Sequence, residues 1–129
     1  MTFDSEITSY INQLRTSDAD DAFHHLLEID TALVPQLIAA YQLEGDPHIR
    51  IMLIEIIGEH RRLDDIGFLA KALQSNNPDL WKAALDALVK IDQPASVLAL
   101  IDARNKLQAH SPKIEWIDEA IQQIDDAQS

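Results

Sequence analysis

The chain of 129 residues has no cysteine and only three glycines. Without cysteine it can form no disulfide, no thiolate nucleophile and no cysteine-based zinc site. That fits a reducing compartment and makes the cytoplasm the expected location. Aromatic residues are also few, at 5%. The core must therefore come from Ala, Leu and Ile, which suit helices better than sheets. Basic residues are scarce as well: 10 Lys and Arg stand against 22 Asp and Glu, a net charge of −12. Such a balance opposes attraction to phosphate backbones and anionic headgroups, so neither nucleic acid nor a membrane surface is an expected partner. No stretch reaches the roughly 18 apolar residues that span a bilayer. The opening Met1-Thr2-Phe3-Asp4-Ser5-Glu6 is acidic and lacks the basic and apolar regions of a secretion signal.

What remains is an ordinary globular balance of 47% hydrophobic and 25% charged residues. A chain of this length can bury roughly two thirds of its unfolded surface as one domain. The acidity is uneven. Residues 1–45 hold one cation and eight carboxylates, residues 46–75 hold four and five, and residues 76–129 hold five and nine. The N-terminal part thus favours a basic partner, although the same charge also serves solubility.

Helical periodicity opens at Ile7, Tyr10, Ile11 and Leu14, after Asp4 or Ser5 as N-cap. A second amphipathic run starts near Ser17 or Asp18 and gathers Ala19, Ala22, Phe23, Leu26 and Leu27, with Asp20 and Asp21 near its positive end. Three pairs then punctuate the chain: Asp46-Pro47, Asn77-Pro78 and Ser111-Pro112. Each sets a side-chain acceptor at an N-cap and a proline at the first helical position, where its missing N–H costs nothing. The run from Ile49 to Ile57 is apolar nearly all round and must be covered on several sides. Runs through Leu80, Ala84, Leu88 and Ile91, and through Ile114, Ile117, Ile121 and Ile124, follow the other two pairs. Between them lie stripes at Val34, Leu37, Ile38 and Tyr41, at Ile66, Leu69, Ala70 and Leu73, and at Val97, Leu100 and Ile101 with Leu107.

A shift of 31 residues lays Pro47 on Pro78 and carries Ile66, Leu69 and Ala72 onto Val97, Leu100 and Ala103. A shift of 32 lays Val34, Leu37 and Ala40 on Ile66, Leu69 and Ala72. A helix-turn-helix unit repeating at about thirty residues marks an α-solenoid, whose units bury their apolar faces against one another. The expected organisation is one domain over 1–129, with hairpins near 18–44, 47–75 and 78–108 and end helices near 4–15 and 112–126.

The stretch Asp46-Pro47-His48-Ile49-Arg50-Ile51-Met52-Leu53-Ile54-Glu55-Ile56-Ile57-Gly58 resembles the first helix of the HEAT-like repeat family, in particular the short units of phycobilisome lyases and many bacterial proteins. Its Asp, its Arg four residues on, its spaced apolar residues and its closing Gly carry that likeness. Residues 77–88 follow the pattern with Asn77 for the Asp and Trp81 for the Arg. In the family these positions form a polar ladder between units, so here the ladder is partial. The resemblance implies an all-α fold, a right-handed stack of antiparallel helical hairpins with about eight helices. It leaves function broad, because such repeats serve transport, scaffolding, enzyme regulation, DNA repair and toxin immunity.

Little in the sequence supports catalysis. His24 and His25 are adjacent, hence about 100° apart on a helix, and cannot ligate one metal from one face. His48, His60 and His110 lack a carboxylate at ligand spacing. The pairs Asp20-Asp21 and Asp64-Asp65 lie in opening turns, where acids help helices start. No glycine-rich phosphate loop or nucleophile elbow is present. No cofactor, no metal and no enzymatic activity are expected.

The resemblance implies that the second helix of each unit lines the concave surface. Opposite its apolar stripe, the 66–73 helix presents Asp64, Phe68 and Lys71. The repeat shifts align Gln36, Phe68 and Ala99 in one row, and Ala39, Lys71 and Asp102 in another. Phe68 among charges reads as an interface anchor or as packing between helices. Trp81 and Trp116 lie off their main stripes, and tryptophan is enriched in interfaces. Arg61-Arg62 is the sole basic doublet and suits an acidic partner or a solvated turn. The expected function is a non-catalytic protein–protein interaction module, an adaptor or regulatory subunit. The alternatives are an immunity or antitoxin protein occluding a basic toxin, and a small-ligand subunit like the bilin lyases. The oligomeric state stays open.

Overall fold

The structure is a computed structural model that describes residues 5–128, with side chains through residue 126. Its eight α-helices are α1 (Ser5–Gln13), α2 (Ala19–Leu27), α3 (Val34–Leu43), α4 (Pro47–Glu59), α5 (Ile66–Ala72), α6 (Pro78–Ile91), α7 (Pro94–Asn105) and α8 (Lys113–Gln128). The described residues contain no strand. Asp4, one of the two N-caps expected for α1, lies outside them.

Pro47 and Pro78 open α4 and α6 as their chemistry predicts, whereas α8 begins at Lys113 and leaves Pro112 in the turn before it, correcting its expected place at the first helical position. Asp46 Oδ1 accepts the His48 N–H at 2.9 Å, and Asn77 Oδ1 accepts those of Asp79 and Leu80 at 3.0 and 3.4 Å. Ser111 Oγ accepts the Lys113 N–H at 3.3 Å. Each removes an N–H that the first helical turn cannot satisfy. α3 and α5 instead enter through 3-10 turns, Thr31–Leu33 and Leu63–Asp65. Asp65 corrects the expectation that its carboxylate helps α5 start by capping: it makes no capping hydrogen bond and is 2% exposed. Its side chain turns inward towards Arg62, whose Nη1 lies 3.7 Å away. Burial raises the Asp65 pKa, and Arg62 offsets part of that rise.

Two layers result. α2, α4, α6 and α8 contact one another in order, and α4 against α6 is the most extensive of all helix pairings. α3, α5 and α7 form the second layer, each resting on the first-layer helix that follows it, and α1 lies on α2. The expected all-α stack is the fold observed. α4 is covered as its composition requires: Leu53, Ile54, Ile56 and Ile57 are each fully buried. Gly58 shows why that helix closes on glycine, since a Cβ there would stand 2.5 Å from Ala87 Cβ. At that point α4 packs on the Ala87 methyl of α6 too closely to admit a further methyl group.

α7 departs from its expected stripe. Leu100 is buried, and Val97 and Leu107 are half-buried, but Ile101 is 41% exposed and Leu98 69%. Periodicity counts Ile101 as inward because its equivalents in the earlier units, Ile38 and Ala70, are partly covered. Those two have a following second-layer helix. Among the described residues α7 has none.

Candidate functional site

The second-layer helices bound an open groove of about 630 Å³ between α3, α5 and α7. Ile38 and Gln42 come from α3, Phe68 and Lys71 from α5, and Ala99 and Asp102 from α7. The helical spacing of the repeat explains the convergence: residues 31 or 32 apart fall on the same face of successive parallel helices. Phe68 is half-buried and meets the buried Tyr41 edge-to-face, centroids 5.1 Å apart at 87°. Arg50 also lies against that tyrosine, its guanidinium carbon 4.1 Å from the ring centroid. Phe68 therefore both packs between units and floors the groove. Lys71 and Asp102 are exposed on its walls, and Asp102 accepts from Lys106 Nζ at 3.0 Å.

Other expected positions lie elsewhere. Gln36 lies on α3 and does not line the groove. Asp64 precedes α5 in its 3-10 turn and faces solvent with its carboxylate 3.5 Å from Arg62 Nη2. Regular helical extrapolation extends α5 over a segment that is in fact more tightly wound. Arg61 is exposed at the end of α4 with a φ of 54°, whereas Arg62 is half-buried and turns inward to Asp65. That basic doublet is split between solvent and an internal ion pair. Trp81 is 5% exposed and Trp116 45%, and the two meet edge-to-face at 6.0 Å. They belong to the α6–α8 contact on the first layer, away from the groove. There Lys82 Nζ stands 4.4 Å from the Trp116 ring centroid, over a hollow of about 130 Å³.

Several side chains with definite roles escape sequence reasoning. Gln42 and Gln74 line the groove and lie 32 residues apart, a spacing the repeat already supplies. His60 ties three segments together. Its Nε2 donates to the Leu26 carbonyl at 3.1 Å, and its Nδ1 accepts from the Thr31 hydroxyl at 3.2 Å. Lys113 donates to the carbonyls of Leu73 and Ser75 at 2.8 and 2.9 Å, closing the end of α5 from a distance of 38 to 40 residues. No local pattern announces either contact. His25 stacks on Tyr10 at 4.6 Å while His24 points elsewhere, its ring edge-on to Phe23. Among the described residues no group of three or more His, Asp or Glu side chains is arranged to hold a metal ion.

The helical pairs repeat in one register, and every second helix contributes a wall to the groove. A family model of HEAT repeats matches residues 34–109. The chain belongs to the HEAT repeat family. No curated protein and no solved structure matches it. The matched HEAT segment runs from the start of α3 past the end of α7 and so contains the whole groove. Proteins of the family are generally interaction modules, and no helix among the described residues is long and apolar enough to cross a membrane. Where the family places Arg, this chain alternates: Arg50 covers Tyr41, while Trp81 is buried against Trp116 with Lys113 Nζ 5.7 Å from its ring.

Proposed function

We propose that the chain is a non-catalytic adaptor or regulatory module that binds a protein along the α3–α5–α7 groove. The observation that carries this is Phe68: a ring supported by Tyr41, which Arg50 holds in turn, presented among the polar side chains Gln42, Lys71 and Asp102. A rigid aromatic floor with adaptable polar walls is the anatomy of an interface anchor. The net charge of −12 selects a basic partner. The same charge supports the second reading, an immunity protein that occludes a basic toxin, and the two part company on the identity of what is bound.

Affinity capture from the native host with the wild-type chain and with Phe68→Ala and Asp102→Lys tests the groove. Both variants are expected to lose at least about tenfold of the same captured protein, Asp102→Lys with little change in thermal melt because that residue is exposed. Retention of that protein by both variants refutes binding at this face.

A further inference from the structure

Beyond α7 the described residues leave an apolar edge of the stack uncovered. In α3 and α5 the residues Ile38 and Ala70 turn towards the next second-layer helix and are partly covered by it. The equivalent residue of α7, Ile101, has no such neighbour among the described residues and is 41% exposed, and Leu98, three residues earlier on the same helix, is 69% exposed. α8 extends the surface. Its Trp116 and Gln123 face α6 across the hollow, and Ile114 and Ile121 lie about 160° round the helix from them, on the side turned away from α6. Both isoleucines are half-buried, Ile121 with part of its surface packed against the core. The Arg104–Asp118 ion pair holds α7 beside this face of α8, since Asp118 lies about 40 to 60° round the helix from the two isoleucines.

The rim indicates what kind of helix. α8 carries five carboxylates and one cation, and that cation, Lys113, is turned inward to the carbonyls of Leu73 and Ser75. Arg104 and Lys106 of the α7 segment are each engaged by a carboxylate, Asp118 and Asp102. The edge is therefore apolar with an acidic border. A second copy of this chain is a poor occupant, since residues 1–45 hold eight carboxylates and one cation and would bring like charge to either end. We propose that this edge seats an amphipathic α-helix of a partner protein, with an apolar stripe lying on Leu98, Ile101, Ile114 and Ile121 and with Lys or Arg along its flanks. The occupant takes the position of a further second-layer helix. The proposal rests on the protein-binding reading but uses residues distinct from those of the groove.

Methyl-labelled full-length chain, titrated with a synthetic helical peptide of Leu, Lys and Ala and with its Leu, Glu and Ala counterpart, provides the test. The Lys peptide is expected to shift the methyl resonances of Leu98, Ile101, Ile114 and Ile121, to bind more weakly as salt rises, and to outbind the Glu peptide. Leu98→Asp and Ile101→Asp are expected to weaken it at least about tenfold, with Leu98→Gln as a milder replacement at an exposed site. Leu43→Asp, at a leucine 80% exposed elsewhere on the surface, should leave binding unchanged. Shifts confined to the methyls of Ile38, Ala70 and Ala99 in the groove would overturn the edge site while leaving the groove reading intact. Equal binding of both peptides, absence of binding, or self-association that shifts the same methyls would each overturn the proposal.

Discussion

α4 and α7 are both apolar around most of their circumference, yet they have opposite fates. α4 lies between α2 and α6 in its own layer and under α3, and it buries Ile49, Leu53, Ile54, Ile56 and Ile57. α7 has α5 on one side and α8 beneath, buries only Ser96 and Leu100, and shows Leu98 and Ile101 to solvent. Composition is similar, so position in the stack makes the difference. In a repeat protein an apolar side chain is stabilised by its neighbouring unit, and at the end of the array that stabilisation is withheld. The interior of the stack should therefore behave as core, and its edge as unspent binding surface.

That contrast can be broken by mutation. The largest effect is expected at Leu53, which is fully buried. Leu53→Ala should cost about 3 kcal/mol through lost transfer energy and the cavity left behind, read as a shifted denaturation midpoint at constant slope. A loss below about 1 kcal/mol would mean that the α4 surroundings collapse freely and that the interior is not packed as described.

An intermediate effect is expected at Glu44, at the junction that leads into α4. Its carboxylate takes both terminal nitrogens of Arg15, one at 3.0 Å, and accepts the Asp46 N–H at 3.0 Å. The hydrogen bond from Arg15 is the main reason its pKa lies below the usual range. Glu44→Gln should cost about 1 kcal/mol at neutral pH, kept modest because the Arg15 side chain is 41% exposed to screening solvent. Since the folded-state pKa is depressed, this contribution is complete above the unfolded carboxylate range and disappears as pH falls through the lower folded value. Stability curves of variant and wild type should accordingly converge in acid. Parallel curves down to the acid limit would show that the ion pair contributes nothing.

The smallest effect is expected at the edge. Leu98→Ala should change stability by no more than about 0.5 kcal/mol, despite removing as many carbons as Leu53→Ala. A cost comparable with that of Leu53 would show that Leu98 is covered in solution, and would erase the distinction between core and edge.

Much of this architecture is legible in the order of the amino acids. Asp46-Pro47 and Asn77-Pro78 start helices because a side-chain acceptor and a fixed φ act within four residues. The rows through Phe68 and Lys71 follow from the repeat shift alone, and Lys71, Asp102 and Phe68 do share one groove. Asp64 misses it because regular helical geometry does not hold where the chain tightens into a 3-10 turn, and Gln36 because its side chain falls outside the groove lining. His60 and Lys113 leave no such trace, since their partners lie 29 to 40 residues away and no periodicity links them.

By itself the sequence determined where α4 and α6 begin, the thirty-residue rhythm, the family and the acidic charge, all of which depend on neighbours within a turn or on simple counting. Only the tertiary structure decided which apolar residues are core. Trp81 is buried because α8 returns across α6 to cover it. Ile101 is exposed because no described helix lies beyond α7, although its place in the repeat matches that of partly covered residues. Burial is a property of what arrives on the other side of a residue, and periodicity along one helix carries no record of that.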